Sequence, residues 1–120
     1  MHEFRFEKLV VWQKAIDFAD RIYDLTRQFP SEEKFGLTSQ MRRASVSVSS
    51  NIAEGSGRIS DTDFARFIEI AYGSVMETIS QAILSQRRSL ISLDELELLK
   101  AQALELSRIL SGLRANLKGT

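Results

Sequence analysis

Between Leu96 and Leu117 an apolar residue recurs alternately three and four positions on: Leu96, Leu99, Ala103, Leu106, Leu110, Leu113 and Leu117. An α-helix gathers such positions onto one stripe, and the heptad spacing makes the stripe a seam for near-parallel packing on neighbouring helices. Ser92 and Glu95 form an S-x-x-E capping box just before it, which predicts a helix from about Leu93 to Leu117. A seam of this kind cannot bury itself, so the rest of the chain must supply its partners.

Three further stretches fit that requirement. From about Leu9 to Gln28, Val11, Ala15, Phe18, Ile22, Leu25 and Phe29 form one stripe, and Trp12, Ile16, Ala19 and Tyr23 an adjacent one. One core-facing helix needs a single stripe, so the pair predicts burial on two sides. Asp17 and Arg21 are spaced for an i,i+4 ion pair on the exposed remainder. From about Asp61 to Ser89, Ser60 is placed as N-cap and Asp61 and Asp63 suit the helix dipole. The core face there reads Phe64, Phe67, Ile68, Ala71, Val75, Ile79 and Ile83. Gly73 in mid-helix costs about 1 kcal/mol of propensity, which predicts a close helix contact at that point.

The stretch that begins near Leu37 is ambiguous locally. Ser45-Val46-Ser47-Val48 alternates with period two and alone reads as a strand. Over the wider window Leu37, Met41, Ala44, Val48 and Ile52 share one narrow sector of a helical wheel, which decides for helix. Gly55-Ser56-Gly57 is expected to end it. Four helices with short joints make sequence neighbours antiparallel. The expected fold is therefore all-α, an antiparallel up-down-up-down four-helix bundle, with residues 1–120 as a single domain.

Composition removes several function classes. The chain has no cysteine, which excludes disulfides, thiolate zinc sites and a cysteine nucleophile. Its formal net charge is zero with both signs spread evenly, so no segment reads as a basic arm for nucleic acid. No apolar run approaches the roughly 18 residues a bilayer span needs, and the N-terminus lacks the pattern of a signal peptide. A soluble, cytoplasmic protein without membrane association is expected.

Catalytic and metal-binding patterns are missing as well. His2, the single histidine, stands at a chain end, so a Ser-His-Asp arrangement has no base. Glu-x-x-His pairs for a di-iron centre do not occur. The glycines around Gly55 close a helix, where a phosphate loop would open one. Asp61 with Asp63, and Asp94 with Glu95, are explained by helix dipoles. Trp12 belongs to a packing stripe, and Phe4 and Phe6 belong to an N-terminal arm over the bundle or over a neighbour. No enzyme activity, metal or cofactor is expected.

The most distinctive feature lies on the second helix. Gln40, Arg43, Ser47, Ser50, Asn51, Glu54 and Arg58 fall on one narrow face, where a plain solvated face would carry lysine and glutamate. Small hydroxyls admit another backbone closely, while Arg43, Asn51 and Glu54 offer directional hydrogen bonds. The face is open to three assignments. One is an intrachain polar network with an i,i+4 Glu54–Arg58 pair. Another is a subunit interface. The third is a ligand or nucleic-acid site using Arg42, Arg43 and Arg58, with Arg87 and Arg88 as further candidates for nucleic acid.

The segments FEKLVVWQKA, FGLTSQMRRASVSVSSNIAEGSGR and FARFIEIAYGSVMET resemble the signature of a bacterial four-helix-bundle family first noticed in intervening sequences of large-subunit ribosomal RNA genes. The resemblance runs from about Phe4 to beyond Leu113. It implies a ring-like homopentamer without known enzymatic activity, so that the chain's first partner is itself. Gln40, Arg42, Arg43, Ser47, Asn51, Glu54 and Gly55 match the motif, in a structural role. The chain is also similar to the accessory variability protein of diversity-generating retroelements, a pentamer that engages a reverse transcriptase and nucleic acid through a basic surface. That similarity implies nucleic acid, or an enzyme acting on it, as the alternative partner. A pI near 6.6 sets this chain apart from that basic relative.

Overall fold

The computed structural model describes residues 2–119. Their helices are α1 (Val10–Thr26), α2 (Leu37–Ser56), α3 (Asp61–Arg87) and α4 (Leu93–Leu117), with short 3-10 turns at Arg5–Lys8 and Ser31–Glu33. The bundle is cyclic. Each helix packs on its sequence neighbours and α4 returns to α1, while the diagonal pairs α1/α3 and α2/α4 make no backbone approach among the described residues. The core is lined by Phe18, Ile22, Met41, Val48, Ile52, Ile68, Val75, Leu99, Leu106 and Leu110, all essentially inaccessible to solvent. The period-two stretch of α2 is helical, because its wider apolar sector outweighs the local alternation.

The helix ends follow their cap chemistry. The Ser60 hydroxyl accepts from the Asp63 N–H at 3.1 Å. At α4 the Ser92 hydroxyl accepts from the Glu95 N–H at 3.0 Å, and the Glu95 carboxylate accepts from the Ser92 N–H at 2.8 Å. The end of α3 is less ordinary. Ser89 adopts a φ of 61°, while its N–H donates to Gln86 O at 2.9 Å and the Leu90 N–H donates to Ser85 O at 2.8 Å. This is the Schellman arrangement with serine in the left-handed position that glycine occupies without steric cost. Ser89→Gly is therefore expected to stabilise the chain by about 1 kcal/mol, measured as a rise in the urea midpoint; a lowered midpoint would contradict it.

The four seams are unequal. The α2/α3 seam is the most extensive and α1/α4 the least, for a reason visible in the side chains. At Gly55 a β-carbon would lie 2.7 Å from Phe67 Cβ and 2.9 Å from Phe64 Cδ1, so the missing side chain sets how closely α3 approaches. Higher up, the Ser74 hydroxyl donates to the Ser47 hydroxyl at 2.9 Å across the same seam. Between α1 and α4, long side chains meet instead: Arg21 Nε donates to Gln102 at 2.9 Å and Lys14 pairs with Glu105 at 3.1 Å.

Several sequence expectations are corrected. A β-carbon at Gly73 would meet no atom of a neighbouring helix within 4 Å, since α3 turns Ser74 and not Gly73 toward α2; Gly55 is the close-contact glycine. The end of α2 falls within Gly55-Ser56-Gly57 as expected, with Gly55 and Ser56 buried in its last turn and Gly57 as the cap. Ile83 is 39% exposed and Ile79 only partly buried, because the buried row runs through Val75, Thr78, Ala82 and Ser85 at steps of three and four, to one side of both isoleucines. Arg21 reaches across to Gln102 and does not pair with Asp17.

The second stripe of α1 is partly accounted for within the chain. Ala19 is buried, and Trp12 is half-covered by the N-terminal arm. Phe6 meets the Trp12 ring edge-on at 4.9 Å between centroids, and Phe4 stacks on Phe6 at 5.8 Å. Arg5 in the same arm donates to Ser56 O at 3.1 Å and lies over the Phe64 ring. The arm thus packs over its own bundle, and Tyr23 is the member of the stripe left 40% exposed.

Candidate interaction surface

A serine-rich helix survives because its hydroxyls are absorbed locally. Ser45, Ser49 and Ser56 donate to the carbonyls of Arg42, Val46 and Ala53, at 3.1, 3.0 and 2.8 Å. Such bonds to the preceding turn remove the cost of burying a hydroxyl without adding bulk. This leaves α2 slender along the face that carries these three serines.

The polar face predicted from the sequence divides in two. One part is an intrachain network. Asn51 Nδ2 donates to the Ser47 carbonyl at 2.8 Å and to its hydroxyl at 3.0 Å, which also accepts from Ser74. Arg58 pairs with Glu54 at 3.0 Å and lies over the Phe67 ring, 4.6 Å from its centroid. Arg42 is turned to α1, where Nε donates to the Thr26 hydroxyl at 2.9 Å and the guanidinium sits 4.5 Å from the Tyr23 ring centroid. An arginine held by a hydrogen bond and an aromatic face is oriented as well as charged.

The other part is an outward ridge. Gln40, Arg43 and Ser50 are exposed, and their side chains make no hydrogen bond or ion pair among the described residues. A shallow groove runs along each flank. On the α3 side one of about 360 Å³ is lined by Gln40, Arg43, Ala44 and Ser47 with Glu77. On the α1 side one of about 450 Å³ is lined by Arg42, Arg43, Val46, Ser47 and Ser50 with Tyr23. Arg43 and Ser47 border both. Tyr23, Val46 and Glu77 were not among the residues singled out from the sequence. Tyr23 reads there as packing, Val46 as part of an alternation, and Glu77 carries no local signal that α3 brings it beside Arg43.

A groove of similar size, about 460 Å³, lies between α3 and α4 along Ile68, Glu69, Tyr72, Leu110, Ser111 and Arg114. Its charged groups are already paired with one another. Arg114 donates to the Glu69 carboxylate and Lys118 lies 3.6 Å from the same oxygen. The Arg114 hydrogen bond holds the Glu69 carboxyl below its ordinary range against some desolvation, and the charges of Arg114 and Lys118 add to the effect. Arg87 and Arg88 are exposed at the end of α3. No helix among the described residues is long and apolar enough to cross a membrane.

Comparison with known proteins gives two positive findings. A crystal structure of a protein of unknown function from the S23 ribosomal protein family of Bacteroides thetaiotaomicron superposes with a TM-score of 0.81 at 28% identity, over 88% of this chain and 98% of that one. No curated protein matches significantly. The family model described as 23S rRNA-intervening sequence protein matches residues 7–112. With that span covering nearly the whole bundle, the chain belongs to the 23S rRNA-intervening sequence protein family.

Proposed function

We propose that this chain is a non-enzymatic scaffold or interaction protein of the cytoplasm that works as a homo-oligomer, with five copies in a ring as the resemblance implies. The observation that carries the proposal is the outer ridge of α2. A helix built from small residues presents the unpartnered donors and acceptors of Gln40, Arg43 and Ser50 between two grooves, with Tyr23 and Val46 exposed at 40% and 38% beside them. Directional polar groups around modest apolar area, in place of a lysine- and glutamate-rich coat, suit a protein–protein contact. The expected result is a thermal midpoint that rises with protein concentration, because assembly stabilises the folded chain by mass action. A midpoint independent of concentration from about one to several hundred micromolar would overturn the proposal.

A second role, as a nucleic-acid-binding accessory, draws support from Arg43, Arg87 and Arg88, which stay exposed while Arg42 and Arg58 are engaged within the chain. Copies around a ring would multiply weak phosphate contacts. Titration of labelled RNA at low and high salt tests it; absence of salt-sensitive binding at tens of micromolar protein counts against it.

A further inference from the structure

We propose that the ridge of α2 around Arg43 docks against the outer face of α1 in a second copy of the chain, which makes the contact head-to-tail. This rests on the oligomeric function proposed above and names the two surfaces that would form it. Asp17, Asp20 and Asp24 are all exposed and spaced three and four apart, on the side of α1 opposite buried Ala15, Phe18 and Ile22. Of these, Asp24 pairs with Arg27 at 3.3 Å, whereas Asp17 and Asp20 make no ion pair or hydrogen bond among the described residues. Arg21, the neighbouring cation, is drawn aside to Gln102. The result is an acidic row with a shallow groove of about 390 Å³ at its edge, which Arg21 and Gln102 line together with the three aspartates.

The ridge of α2 carries the opposite sign. Arg43 stands unpaired at its crest and Arg42 is fixed beside it on Tyr23. The two surfaces also lie at the same height. The contact of Arg42 with Tyr23 and Thr26 sets the antiparallel register of α1 on α2, which places Asp24 level with the start of the ridge. Asp20 and Asp17 then fall beside Val46 and Ser50, at a helical rise of about 1.5 Å per residue on both helices. A neighbour can therefore present its acidic row to the ridge side by side, without sliding along the bundle axis.

The charges restrict the symmetry. A two-fold axis through either patch would set acidic row on acidic row, or Arg43 on Arg43, and like charges at an interface are unfavourable. A two-fold axis between the patches would pair row with ridge twice and stop at a dimer. A wild-type mass of two chains would reveal that arrangement and overturn the head-to-tail contact. One row on one ridge gives a heterologous contact, which generates a ring when the rotation closes. Because α1 and α2 are neighbouring corners of the cyclic bundle, the patches are separated by much less than half a turn about its axis. That angle favours closure over an open row.

The test uses two variants of the full chain, Arg43→Glu and the triple change Asp17→Asn, Asp20→Asn and Asp24→Asn. Both alter exposed side chains only, and circular dichroism checks that each is helical; Arg43→Gln replaces Arg43→Glu if that variant does not fold. By sedimentation velocity each variant is expected to dissociate, with its dissociation constant raised on the order of tenfold or more. Mixed, they retain one compatible pair of faces and are expected to form a one-to-one pair and nothing larger. Variants that stay assembled like the wild type, or a mixture that stays monomeric, would overturn the docking proposal while leaving an oligomer in place. A wild-type chain that is itself monomeric would instead overturn the oligomeric function on which it rests.

Discussion

Truncation of Phe18 to alanine is expected to destabilise the chain by about 3–5 kcal/mol, the largest loss of any single change considered. Phe18 is fully buried on α1, and the same stripe holds Ala15 and Ile22 at zero exposure. Its ring cannot be replaced by a shift of α1, because that helix is tied on both flanks. Arg42 grips Thr26 and the Tyr23 ring from α2, while Gln102 and Glu105 of α4 hold Arg21 and Lys14. Partial relaxation around a cavity is what makes such losses large. Urea unfolding followed by circular dichroism should show a lower midpoint with an unchanged slope. A loss below about 1 kcal/mol would mean that the ring contributes little to the core.

Gly55→Val should be the other damaging change, at about 1–3 kcal/mol and toward the upper end of that range. The new β-carbon would fall 2.7 Å from Phe67 Cβ, an atom fixed to the backbone of α3, and 2.9 Å from the Phe64 ring. Rotating a side chain relieves only the second contact, so α3 itself must move. Gly73→Ala provides the control. It also lies inside a helix but faces open space, and alanine there should stabilise by up to about 1 kcal/mol through propensity alone. The same unfolding measurement reads both. Equal signs for the two glycines would contradict the α2/α3 packing described above.

The contrast between those glycines shows where sequence reasoning stops. Period and caps were legible because they are written within one helix: the leucine seam of α4, the Ser92–Glu95 box, the Ser60 cap and the Met41, Val48 and Ile52 row all stand where spacing placed them. What depends on the register between helices was not. A mid-helix glycine announces its propensity cost but not its neighbour, so Gly73 drew the expectation that belonged to Gly55. Arg21 had a suitably spaced Asp17 on its own helix and a better-placed Gln102 across a seam. The polar face of α2 was legible as unusual. Its division into the Ser47–Asn51–Ser74 network and the free ridge of Arg43 required the position of α3, and the acidic row on α1 went unread, with Asp17 alone singled out as a partner for Arg21.

The proposed function makes the bundle a protomer, and sedimentation equilibrium on the purified chain, at several loading concentrations and moderate salt, tests that most directly. The expected mass is an integral multiple of the 13.6 kDa chain, fivefold for the ring, across the micromolar range. A single species of 13.6 kDa at every concentration would contradict it.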